Sequence, residues 1–255
     1  MAVHNPGSRL SCLIVLPSCA EGVSAQSFIQ CFTLTHSAFV VQLATPGGKT
    51  PEFINQDEQS RRWLNDFRTK PFAVPLSLEI IDHSPQTSAE PNKLRKGQEE
   101  EEEEEESCKA NRYTCLLIPH SPGAAVDLYM NKDLGQILLE FIRHRKFICA
   151  IGLGVAGLFS AKIEEDKSWG FKTYSLTGSS VFELAQKPNF SDLAVIPEDA
   201  VRDGGGCFSN SGPECVHVVV DRHLVTGQNE QSTLTAVQNL VLLCNQSRQI
   251  KVFHK

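Results

Sequence analysis

Apolar residues in this 255-residue chain fall into short continuous runs separated by stretches of helical period, and the alternation predicts its elements. Residues 10–16 form an apolar run of strand length. Residues 24–36 then place Ala25, Phe28, Phe32 and Leu34 on the apolar side of a helix. A second strand, 39–44, closes in Thr45-Pro46-Gly47-Gly48, and a helix at 56–67 carries Trp63, Leu64 and Phe67. Residues 113–118 read as a buried strand ending in Pro119-His120-Ser121-Pro122-Gly123. The helix at 132–145 turns Leu134, Ile137, Leu138 and Phe141 to the core. The next strand stops at Cys149 and opens through a glycine-rich stretch into another helix. A hairpin, 216–220 with 224–226, turns around Asp221-Arg222-His223, and a helix at 232–244 closes the chain. Strands alternating with helices at this spacing define an α/β domain, a mostly parallel sheet with helices on both faces.

Composition sharpens this picture. A hydrophobic fraction of 41% supports a sizeable core for one domain spanning residues 1–255. The net charge of -6 is concentrated in the glutamates at 99–106, and the rest of the chain is close to neutral, without a basic stripe. Direct nucleic-acid binding, which depends on clustered lysine and arginine, is therefore not expected. Residues 83–111 hold prolines, serines, lysines and the glutamate run with almost nothing to bury, and are expected to be a disordered acidic insertion within the domain. The nine cysteines are scattered, with no CxxC pair and no zinc-ligand spacing. They read as free thiols in a reducing compartment, with no metal or cofactor. No run approaches the roughly 20 apolar residues of a bilayer span. Gly152-Leu153-Gly154-Val155-Ala156-Gly157 matches the dinucleotide fingerprint, but late in the chain and without an acidic residue about 20 positions on. Close helix-to-sheet packing accounts for those glycines.

Three strand ends carry candidate chemistry. A cysteine on a sharp strand-to-helix turn sits over a helix N-terminus, which favours the thiolate. Cys149 is thus expected to be the nucleophile of an elbow, with the lowest thiol pKa of the nine. Glu21, after the first strand, is placed to hydrogen-bond that sulfur. His120 is the candidate base. The turn through Gly123, together with Ala150 beside the cysteine, is expected to supply oxyanion-type backbone N–H groups.

These residues resemble the PfpI branch of the class I glutamine amidotransferase-like superfamily. The likeness runs through Ala20-Glu21-Gly22, Ala44-Thr45-Pro46-Gly47-Gly48, Leu117-Ile118-Pro119-His120-Ser121-Pro122-Gly123-Ala124, Ile148-Cys149-Ala150 and Asp221-Arg222-His223-Leu224-Val225-Thr226-Gly227-Gln228-Asn229. It implies a flavodoxin-like three-layer sandwich with Cys149 as the reactive thiol and Glu21 as its carboxyl partner. It also exposes departures: Ala150, Leu153 and Tyr174 stand where relatives place histidine, so no standard Cys-His-acid triad assembles. A closer vertebrate form within the family implies a non-catalytic subunit of a five-part early-endosomal complex. That complex is a Rab effector linking mRNAs and ribosomes to endosomes. The expected partners are its other subunits and a second copy of the chain, with RNA reached indirectly and a cytoplasmic location on early endosomes. The alternative is a cysteine-dependent small-molecule hydrolase or deglycase.

Overall fold

The computed structural model describes residues 10–82, 112–188 and 190–253; the expected acidic insertion at 83–111 lies outside the described residues. The described chain opens with β1 (Ser11–Val15), passes through the two-residue β2 (Val23–Ser24) and enters α1 (Ala25–Ala38). Strand β3 (Val40–Thr45), the short β4 (Phe53–Ile54), α2 (Glu58–Arg68), β5 (Leu76–Ser77) and α3 (Leu78–Asp82) come after it. Next come β6 (Cys115–Ile118), α4 (Lys132–Arg143), β7 (Phe147–Ile151) and a 3₁₀ stretch, Gly152–Ser160. Short elements β8 (Ser175–Leu176), α5 (Val181–Ala185), α6 (Pro197–Asp203) and β9 (Cys207–Phe208) lead into the hairpin β10 (Val218–Asp221) and β11 (Leu224–Gly227). The last helix is α7 (Thr233–Phe253).

The main sheet has seven strands in the order β10-β11-β7-β6-β1-β3-β5. Every neighbouring pair is parallel except the β10–β11 hairpin at one edge. Because strand side chains alternate between faces, each strand feeds two cores. Leu13, Val15, Leu116, Ile148 and Ala150 pack with α3, α4 and the 3₁₀ stretch. Cys12, Ile14, Leu117, Cys149 and Ile151 pack with α1, α2 and α7. Both faces of the sheet are therefore dry, as a parallel sheet requires, and the result is the three-layer sandwich anticipated from the pattern.

Capping sets the helix starts. The Asn131 side-chain oxygen accepts from the Leu134 N–H at 3.0 Å and opens α4, whose Leu134, Ile137, Leu138 and Phe141 are buried. The Ser24 hydroxyl does the same for α1, accepting from the Ser27 N–H at 3.2 Å.

Two sequence expectations change here. The strand carrying Cys149 does not stop there: Ala150 and Ile151 continue the pleat, pairing with Ile118, Thr226 and Gly227. The break falls at Gly152, whose φ of 56° lies in the left-handed region. The chain then runs through a fully buried 3₁₀ stretch and not an α-helix. Between β1 and β6 the strand order reverses, β3 lying on one side of β1 and β6 on the other. The carboxyl ends of strands at such a switch point enclose the crevice in which open α/β sheets bind ligands.

Candidate functional site

A cavity of about 520 Å³ lies at that crevice, lined among others by Glu21, His120, Leu153, Glu183, Lys187 and Glu230. Its floor is made by three strand-end loops tied to one another. Asp127, on the helical turn after the β6 loop, accepts the backbone N–H of Ser18 at 2.7 Å and that of Cys19 at 3.0 Å, and the Ser18 hydroxyl at 3.0 Å. The Gly123 N–H donates to the Gly22 carbonyl at 3.0 Å. These bonds fix the Glu21 loop against the His120 loop.

His120 is held on three sides. Its N–H donates to Ser27 Oγ at 3.0 Å, its carbonyl accepts from the Ser24 N–H at 3.0 Å, and its Nδ1 accepts from the Leu153 N–H at 3.2 Å. An imidazole that accepts at Nδ1 carries its proton at Nε2 when neutral. Burial holds the ring below the ordinary histidine pKa, and Lys187 adds to that, while Glu230 and Glu183 oppose it. The ring also occupies the place of a side chain on the sharp turn: a Cβ built on Gly152 would lie 2.1 Å from His120 Nδ1. Only glycine fits the turn while the imidazole stays where it is.

The expected nucleophile is elsewhere. Cys149 has no solvent exposure and sits three residues before the turn, pointing into the layer beneath α1 and α7. Burial, then the neighbouring Cys31, Cys12 and Cys244, push its thiol well above the ordinary value, the reverse of the expected activation. Ala150 is buried in the opposite core, and the Gly123 N–H is already bonded, so neither offers a free oxyanion donor. The Leu153 N–H, after the turn, is consumed by His120. Cys19 lies beside the crevice, but burial, Asp127 and Glu21 raise its pKa to about 11, and its S–H donates to the Gly123 carbonyl at 3.4 Å.

The structure thus brings Glu21 and His120 to the cavity and leaves Cys149, Ala150 and the Gly123 N–H out of it. It adds Glu183 and Glu230, which the sequence reading missed. Glu183 was signalled by the capping box Ser180-Val181-Phe182-Glu183, realised at the start of α5. Among the described residues, no group of three or more His, Cys, Asp or Glu side chains is placed to hold a metal ion.

A seven-stranded, mostly parallel sheet between helical layers, with its crevice at the β1/β6 switch point, defines a flavodoxin-like α/β protein. Solved structures share the fold. Candida albicans glyoxalase III superposes with a TM-score of 0.70 at 17% identity, covering 92% of this chain and 98% of that one. The 24 kDa rapid encystment protein of Francisella tularensis gives 0.71 at 16%, covering 92% and 99%. Drosophila melanogaster DJ-1beta gives 0.52 at 13%, covering 91% and 88%. No protein-family model matches the chain. At the sequence level the chain belongs to the family of glutamine amidotransferase-like class 1 domain-containing protein 1. The Bos taurus and Homo sapiens proteins of that name are each 48% identical over 244 residues, covering 96% of this chain and 98% of theirs. The Danio rerio protein is 44% identical over 238 residues, covering 93% and 98%.

Proposed function

We propose that this chain is a non-catalytic member of its family that works as an assembly subunit. The observation that carries the reading is the strand-to-3₁₀ turn: glycine stands at 152, and the His120 ring fills the space a nucleophilic side chain would need. Amide or thioester chemistry needs a nucleophile, a base in reach of it and a free donor for the oxyanion. Here Cys149 is sealed in the core and the Leu153 N–H is spent on His120. A cysteine-dependent hydrolase or deglycase, the alternative class, lacks support from this geometry.

The resemblance noted in the sequence carries the finer part of the proposal. It implies a role in an early-endosomal complex that acts as a Rab effector and links mRNAs and ribosomes to endosomes, with RNA contacted through other subunits. Affinity purification of the tagged full chain tests this: a fixed set of endosomal subunits should co-purify from wild type and Cys149→Ser alike. Loss of the set from wild type, together with Cys149-dependent turnover of glutamine or glyoxal adducts, would overturn the reading in favour of the hydrolase.

A further inference from the structure

The cavity at the sheet edge has a definite sign. Glu21, Glu183, Glu214 and Glu230 line it against a single cation, Lys187, and none of the five is in an ion pair among the described residues. Two of the carboxylates are set in place by hydrogen bonds, while Glu21 and Glu214 stand exposed at the rim. Glu183 accepts from Asn229 Nδ2 at 2.8 Å and from the Glu214 N–H at 3.1 Å through one oxygen, and from the Ser180 N–H at 3.4 Å through the other. Glu230 accepts the Ser24 hydroxyl at 2.7 Å through Oε2. His120 is neutral near pH 7 and offsets none of this charge. The lining also offers apolar surface, Leu153 and Ile54 included.

We propose that this cavity binds a small organic cation, an ammonium or guanidinium group carried on a short apolar stem. The proposal rests on the non-catalytic reading of the same site, the ligand being held and not turned over. A partly enclosed crevice lined by one sign of charge concentrates the ion of opposite sign. Charge-assisted hydrogen bonds to prepositioned carboxylates are shorter and roughly twice as strong as neutral ones. The volume of about 520 Å³ suits a ligand of metabolite size, whose stem would lie on Leu153 and Ile54. A bare metal ion is a poorer match, because no three acidic or metal-ligating side chains converge among the described residues. An anion would meet four carboxylates and one lysine.

Calorimetric titration of the full chain with agmatine, a guanidinium and an ammonium on one butyl stem, tests the proposal. Glutarate serves as the anionic control and a capped Gly-Gly-Arg-Gly-Gly peptide as the mimic of a partner's side chain. Agmatine should saturate one site per chain. Glu230→Gln should weaken it about tenfold, the loss of one charge-assisted bond, and Lys187→Gln should tighten it. Thermal melts matching wild type show that both variants fold. No agmatine binding at about 10 mM, equal binding of glutarate, or an affinity unchanged in both Glu230→Gln and Glu21→Gln would overturn the cation site. Tighter binding of the arginine peptide than of agmatine would overturn a free ligand in favour of a partner's side chain. Release of urea or putrescine from bound agmatine would leave the cation site standing and overturn the non-catalytic reading instead.

Discussion

Residue 152 is decided by two independent constraints, a φ of 56° and an imidazole that a Cβ would approach to 2.1 Å. The left-handed conformation alone costs a non-glycine residue about 1–2 kcal/mol. We therefore expect Gly152→Ala to lower the unfolding free energy by more than this, measured in urea. Adding His120→Ala should recover the part due to the clash and leave the backbone part, a non-additivity that separates the two. Cys149 gives a second residue-scale prediction. Limiting iodoacetamide on the native protein should modify the exposed Cys207 and Cys215 first and leave Cys149 unmodified until the protein unfolds. A third concerns pH. Burial holds both His120 and His223 below the ordinary histidine value, and His223 Nε2 is buried without a hydrogen-bond partner among the described residues. The unfolded chain then takes up these protons first, so the stability they confer is complete above about pH 6.5 and is lost as pH falls below it. Urea midpoints should drop between pH 7.5 and 5.5, and His223→Gln should flatten the drop.

At the scale of elements, the loops of the crevice depend on a few anchors. Asp127→Ala removes the acceptor for two backbone N–H groups and a hydroxyl, freeing the Ser18–Cys19 loop from the β6 loop. Faster amide exchange at Ser18 and Cys19, with the α4 core unchanged, is the expected readout. Asn131→Ala removes the α4 cap and should cost about 1 kcal/mol of stability. The longer elements were legible because each buries a face large enough to impose its period on the sequence, as Leu134, Ile137, Leu138 and Phe141 do for α4. The two-residue strands β2, β4, β5, β8 and β9 were not, since their pairing is imposed by neighbours and leaves no pattern. The end of β7 was misplaced for a related reason: Cys149, Ala150 and Ile151 all suit a buried strand, and only the backbone reveals which residue turns. Of the site, Glu21 and His120 were readable because each lies just beyond an apolar run. The capping box marked Glu183 as a helix start but not as part of the site, and Glu230 carried no signal, because segments distant in sequence bring both to the cavity.

For the molecule as a whole, the two-faced sheet sorts its thiols as well as its hydrocarbons. Cys12, Cys31, Cys115, Cys149 and Cys244 all fall in the single layer beneath α1, α2 and α7. Folded, these sulfurs behave as small apolar groups, shielded from solvent and oxidant. Unfolding exposes them together, on a chain whose collapse brings them near one another in wrong pairings. Each intermolecular or misplaced disulfide formed in that state must be reduced before the layer can close again. Recovery of native protein from urea should therefore be high with a reductant present and fall steeply in air, with disulfide-linked oligomers on non-reducing gels. Simultaneous Cys115→Ala and Cys244→Ala substitution should lessen that dependence at some cost in stability. The longevity of this chain after thermal stress is thus governed by the redox potential of its surroundings as much as by its folding free energy.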